Sequence, residues 1–147
     1  MHLTYLLGHT MSLIRQKLME KFRENKLDIS IENYVMLLYI NNHENLTQQH
    51  VADHFLKDKS IVQRHVNTLM MQKYIVRATD STDKRKKNLM LTERGKEMIR
   101  LTAGISEELS SELLNGVTGA ELFQFNEVIR KIQLNTGYTK CLASFNN

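Results

Sequence analysis

The sequence predicts a mainly helical chain with one short β-hairpin, and three observations lead there. Proline is absent from all 147 residues, so no segment is barred from helix by a fixed φ or a missing N–H. Apolar residues recur at spacings of three and four through most of the chain, the period of one helix face. Between residues 75 and 92 the period shifts to two, that of a strand pair, around a tip crowded with lysine and arginine.

Each element has its own signal. From Leu3 to about Asn25, Leu7, Met11, Ile14, Leu18 and Phe22 form one helical stripe. Ser30 suits the N-cap of a second helix, where Tyr34, Val35, Leu37, Leu38 and Ile40 give apolar surface nearly all round, as a central helix requires; Asn41-Asn42 ends it. Thr47 opens a short third helix, TQQHVADHF, with Val51, Ala52 and Phe55 on its apolar face. Lys57-Asp58 breaks the chain. Asp58 then caps a fourth helix of about 15 residues, SIVQRHVNTLMMQKY, whose core stripe is Val62, Val66, Leu69 and Met70. Its polar face gathers Lys59, Ser60, Gln63, Arg64 and Asn67.

Ile75, Val76 and Arg77 form one strand and NLMLT the other, joined through TDSTDKRKK. Lys84, Arg85, Lys86 and Lys87 there are too densely charged to be buried, so the tip must face solvent or an anionic partner. From Thr92 a long helix runs to about Asn115 on Met98, Leu101, Ile105, Leu109 and Leu113, and Asn115-Gly116 stops it. Thr118-x-x-Glu121 is a capping box for a last helix with the stripe Leu122, Phe125, Val128, Ile129 and Ile132. Residues after about Gly137 carry no pattern.

Composition bounds the class. With 41% apolar and 24% charged residues, the chain reads as one domain that buries roughly 70% of its unfolded surface without a disulfide or structural metal. Cys141 is the single cysteine and no zinc spacing exists, so a reducing cytoplasm is the expected compartment. The start, MHLTYLLGHTMSLIRQ, lacks the basic leader and unbroken apolar run of a signal peptide. No stretch approaches the roughly 18 apolar residues of a membrane span. The net charge of +4 is unevenly spread: Lys57 to Arg100 holds 12 Lys/Arg against 5 Asp/Glu, a net of +7, and the remainder carries −3. A basic middle between mildly acidic ends is the distribution of a polyanion-binding core.

Two helices joined by a short turn and followed by a β-hairpin compose a winged helix-turn-helix, whose second helix enters the DNA major groove. The residue types suit that use. Lys59, Lys84, Lys86 and Lys87 are placed for phosphates, Ser60 for close backbone approach, and Gln63 and Arg64 for the edges of adenine and guanine. The stretch from Leu46 to Ile99, above all Asp80-x-x-Asp83-x-Arg85 followed by Leu89-x-Leu91-Thr92-x-x-Gly95, resembles the DNA-binding core of the MarR (multiple antibiotic resistance regulator) family of bacterial transcription factors. That resemblance implies that Arg85 is a wing-tip arginine entering the minor groove and Asp83 the acid orienting it. It implies that Ser60, Gln63 and Arg64 take recognition-helix positions. Two residues depart from the family pattern: Lys73 stands where glycine usually closes the recognition helix, and His65 where an aliphatic residue is common.

The organisation then expected is one domain, 1–147, with a winged lobe over 30–95 and a helical dimerisation region formed by 1–27 and 96–147. Apolar surface on the long terminal helices would be covered in a two-fold homodimer. Such a dimer sets two recognition helices about 34–36 Å apart on a pseudo-palindromic site. The function expected is a sequence-specific regulator of double-stranded DNA, a repressor responsive to a small-molecule effector, with no cofactor and no membrane. Met11, Met19, Met36, Met70, Met71 and Met98 could line an adaptable effector pocket or serve as core. His50 and His54, at i and i+4, are the weak metal candidates, and Cys141 the weak redox candidate. Catalysis has no support: there is no glycine-rich phosphate loop, GxSxG or acidic pair. The alternatives are a metal- or redox-responsive variant of the regulator and a non-catalytic winged-helix protein-interaction module. That module should carry apolar or acidic residues where Ser60, Gln63 and Arg64 stand.

Overall fold

A computed structural model describes residues 2–55 and 57–137. The order is α1 (Leu3–Glu24), α2 (Ile31–Asn41), α3 (Gln48–Phe55), α4 (Lys59–Met71), β1 (Ile75–Thr79), β2 (Lys87–Leu91), α5 (Glu93–Leu113) and α6 (Gly119–Asn135). This is the mainly helical winged helix-turn-helix that the sequence predicts. The described chain falls into two compact units that divide at Leu109/Ser110.

In the first unit the apolar stripes meet around α2. Phe22 of α1, Leu37 of α2, Val51 of α3, Val62, Val66 and Leu69 of α4 and Ile75 of β1 are fully buried together. Phe22 packs edge-on against Tyr34 with ring centroids 5.3 Å apart, and the Tyr34 hydroxyl lies 2.7 Å from Ser106 Oγ on α5. Ser30 caps α2 by accepting the Asn33 N–H, as its residue type suggests.

The hairpin is antiparallel, with Ile75 opposite Leu91, Arg77 opposite Leu89 and Thr79 opposite Lys87. Its free edge is pinned. The Leu89 N–H donates to the Leu46 carbonyl at 2.7 Å, and Asn88 bridges Thr47, so β2 is fixed to the start of α3.

The end of α4 differs from the sequence reading, which carries the helix to Tyr74. It stops at Met71 because Lys73 takes a left-handed conformation, φ 62°. The Lys73 N–H donates to the Met70 carbonyl and the Tyr74 N–H to the Leu69 carbonyl, the closing turn that glycine usually makes. Lysine makes the same turn at a conformational cost of roughly 1–2 kcal/mol, and buried Tyr74 then leads into β1.

The residues Thr92 to Gly95 explain themselves at this junction. Thr92 Oγ1 donates to the Lys73 carbonyl at 2.6 Å and accepts the Gly95 N–H at 3.0 Å, capping α5 and tying it to the end of α4. A Cβ on Gly95 would stand 2.1 Å from the Tyr74 carbonyl oxygen. Only glycine admits that approach.

In the second unit α6 opens on the expected capping box, in which Thr118 Oγ1 accepts the Glu121 N–H while Glu121 accepts the Thr118 N–H. No residue of α6 is buried in the single chain. Leu122, Ile129 and Ile132 of its predicted stripe are half-buried, whereas Phe125 and Val128 are exposed. Among the described residues no helix is long and apolar enough to cross a membrane.

Candidate nucleic-acid interface

Helix α4 is buried along Val62, Val66 and Leu69, so its i, i+3, i+4 geometry turns the opposite face outward. There Lys59, Ser60, Arg64 and Asn67 are exposed and Gln63 is half-buried. Asp58 starts the helix by accepting the Ser60 N–H at 2.8 Å and the Ser60 hydroxyl at 2.7 Å. Those two bonds, the hydroxyl's first, hold the Asp58 carboxyl below its ordinary pKa. Both Ser60 donors are therefore occupied by the cap. The Asp58 carboxylate stands at this helix end, and Lys59 and Arg64 are the exposed cations of the first turns.

Gln63 sits in a run of hydrogen bonds absent from the sequence reading. Arg77 on β1 donates to Gln48 Oε1 at 2.8 Å, Gln48 Nε2 donates to Gln63 Oε1 at 2.6 Å, and Gln63 Nε2 donates to Asn67 Oδ1 at 2.8 Å. Strand, first residue of α3 and recognition face are thus one connected polar network. Neither Gln48 nor Arg77 stands out in sequence. Only the strand register and the packing of α3 on α4 bring them together.

The wing is organised by a second carboxylate. Asp80 Oδ1 accepts the Thr82 N–H, the Thr82 hydroxyl and the Asp83 N–H, while Oδ2 accepts Asn88 Nδ2 at 2.7 Å. These bonds, led by those from Thr82 Oγ1 and Asn88, hold the Asp80 carboxyl far below the usual carboxylate range. Asp83 Oδ1 accepts the Arg85 backbone N–H at 3.0 Å and Arg85 Nε at 3.3 Å. The acid and arginine singled out in sequence are therefore in contact, and the Arg85 side chain remains 92% exposed. Lys84 and Lys86 are exposed, whereas Lys87 Nζ turns back onto Thr79 Oγ1 at 2.6 Å across the strand pair. The spacing Asp80-x-x-Asp83-x-Arg85 is legible physically: one acid folds the loop and the other aims the arginine.

The residues weighed as sensors have local partners. His50 and Thr47 cap α3 reciprocally, with the His50 N–H donating to Thr47 Oγ1 and the Thr47 N–H to His50 Nδ1. His54 stacks on Tyr39 at 3.9 Å between ring centroids. No group of three or more His, Cys, Asp or Glu able to hold a metal occurs among the described residues. Cys141 lies outside them. Of the six methionines named as pocket candidates, Met36 and Met98 are core and Met11 and Met71 are exposed.

A cleft of about 170 Å³ opens behind α4, lined by Arg15, Val35, Met36, Phe55, Lys57 and His65. His65 Nδ1 donates to Asn33 Oδ1 at 2.7 Å, so a polar pair on α4 and α2 fills the place of an aliphatic contact. Burial, together with the charges of Arg64 and Lys57 and against that of Glu32, lowers the His65 pKa.

Comparison with known proteins agrees with this geometry. Residues 27–86 match the model of the MarR family, a span running from before α2 to the wing tip. The HTH-type transcriptional regulator YybA of Bacillus subtilis (strain 168) is 26% identical over 109 residues, 74% of this chain and 73% of that protein. The crystal structure of Staphylococcus aureus MepR in complex with DNA superposes with a TM-score of 0.80 at 23% identity, covering 92% of this chain and 96% of that one. Apo wild-type MarR from E. coli gives 0.74 at 19%, covering 90% and 97%. The matched lobe, the helix-turn-helix relative and the shared fold converge: residues 27–86 form a lobe of the MarR-family type, in a chain that has the winged-helix fold of MepR and MarR.

Proposed function

We propose that this regulator is a cytoplasmic repressor that binds a pseudo-palindromic operator as a homodimer and releases it when a small molecule binds. The observation that carries the DNA reading is the alignment, within one unit, of a polar and basic α4 face with a wing prefolded by Asp80 and tipped by Arg85. Lys59, Lys84 and Lys86 supply phosphate contacts, with Lys87 and Ser60 playing smaller parts because Thr79 and Asp58 already engage them. Gln63, Arg64 and Asn67 face base edges, and Asp83 presents Arg85 to a narrow minor groove. MepR, of the same fold, has been crystallised on DNA.

Residues 30–95 form the DNA-binding lobe in this reading, and 1–27 with 96–147 the dimerisation region. Exposed apolar side chains support that division: Leu3, Tyr5, Leu6, Met11 and Leu13 on α1, and Phe123, Phe125, Val128 and Leu134 on α6. A second copy would cover such surface in a two-fold dimer. The cleft behind α4 supports the effector reading, because a ligand against His65 and Phe55 touches the recognition helix from its core side. A coupling of about 1–3 kcal/mol is the usual size of such an effect.

Selection of bound duplexes from a random DNA pool at two salt concentrations tests the proposal. A two-fold motif with half-sites one turn apart, bound less tightly as salt rises, is expected. Failure of a folded, dimeric preparation to enrich any motif would favour a protein partner instead. For the effector, a ligand that weakens DNA binding must itself be bound more weakly, by the same factor, when DNA is present.

A further inference from the structure

We propose that Arg77 and Gln48 are positioning residues that set which base Gln63 reads, by fixing the direction of a hydrogen-bond chain from the wing strand to the recognition face. The inference rests on the DNA reading above. An amide side chain offers a donor and an acceptor that can exchange places by rotation, so Gln63 alone could present either arrangement to a base pair. A guanidinium removes that freedom, because it donates and never accepts. With Arg77 donating to Gln48 Oε1, Gln48 must direct Nε2 at Gln63, Gln63 must turn Oε1 towards Gln48, and its Nε2 must reach Asn67 Oδ1. One cation on β1 thereby orients three successive amides, at 2.8, 2.6 and 2.8 Å.

The consequence is specific. The hydrogen and lone pair that Gln63 and Asn67 retain for DNA are chosen by a residue that need not touch a base. Rotation of the Gln63 amide would exchange donor for acceptor towards the groove and change the base pair preferred. Because Arg77 pairs with Leu89 in the wing, movement of the hairpin is also felt at the recognition face.

The experiment compares base preferences from a random duplex pool for the wild type, Arg77→Lys, Arg77→Met and Gln48→Glu, with thermal melting alongside. Arg77→Lys keeps a donor-only cation and should keep the wild-type preferences. Arg77→Met should lose at least about fivefold of discrimination at one position in each half-site, the smaller end of what a paired amide contact supplies. Gln48→Glu can no longer donate to Gln63 Oε1, so Gln63 should turn over and the preferred base at that position should change. A wild-type motif that persists unaltered in both Arg77→Met and Gln48→Glu, even at uniformly weaker affinity, overturns the proposal, since loss of a phosphate contact or of stability lowers affinity without changing preference. If the wild type itself enriches no motif, the DNA reading fails first.

Discussion

Helices α4 and α6 both carry an apolar stripe at helical spacing, and they end in opposite conditions. Val62, Val66 and Leu69 of α4 are wholly buried by neighbours within the same lobe. Helix α6 has no fully buried residue in the single chain, and Phe123 is 68% and Phe125 56% exposed. The period is the same; the cover is different. A helical stripe states that a face is to be covered. It does not state whether the same chain or a second copy supplies the cover. In the homodimer proposed above, a second copy supplies that cover for α6.

The contrast is broken most severely by Gly95→Ala. A methyl group 2.1 Å from the Tyr74 carbonyl cannot be accommodated unless α5 or the end of α4 moves. We expect a loss of about 3 kcal/mol, the upper range for overpacking, read by chemical denaturation. If the lobe is closed by its own packing, the loss appears at every protein concentration. A loss below 1 kcal/mol would show that the junction yields easily.

The matching change in α6 is Phe125→Asp. An exposed side chain contributes little to a protomer, so melting of the lobe should be nearly unchanged. Association should weaken by about 2 kcal/mol or more if Phe125 is anchored against a second copy, and sedimentation equilibrium measures this directly. A variant that melts early without dissociating would place Phe125 in the chain's own packing and erase the distinction between the helices.

The legibility of the molecule follows the same division. All eight elements can be read from periodicity and caps, because Ser30, Asp58 and Thr118 bond their own helix ends and report only local physics. Asp80, Asp83 and Arg85 are singled out by the resemblance of their spacing to a family signature, and the bonds that join them span few residues. Gln48 and Arg77 are not legible in either way. The bond from Gln48 to Gln63 crosses 15 residues of chain and that from Arg77 to Gln48 crosses 29, and both exist only once α3 packs on α4 and β1 takes its register. The polar partnership of His65 with Asn33, 32 residues away, is hidden for the same reason.

Exposure does not have one meaning, as Arg85 shows. It is 92% exposed, more than Phe125, yet its position is prepared by Asp83 and its surroundings are cationic. Arg85→Ala should leave association and melting unchanged while weakening DNA binding by about 1–3 kcal/mol, measured by fluorescence anisotropy on the selected operator. Unchanged affinity would remove the wing tip from the interface and leave α4 alone to bind.

The smallest effect tests how completely local rules are obeyed inside the lobe. Lys73 holds φ at 62°, where its Cβ crowds the following carbonyl, a strain of roughly 1–2 kcal/mol that glycine avoids. Glycine would surrender part of that gain through the greater freedom of its unfolded chain, about 0.5–1 kcal/mol. Lys73→Gly should therefore stabilise the lobe by about 0.5–1 kcal/mol in denaturant titration, with the Thr92 bond to its carbonyl intact. Destabilisation would mean that the lysine stem packs usefully where it now lies exposed. DNA affinity at low salt then separates the two reasons for keeping a lysine: if the charge is felt by phosphate, the stabler variant binds less tightly.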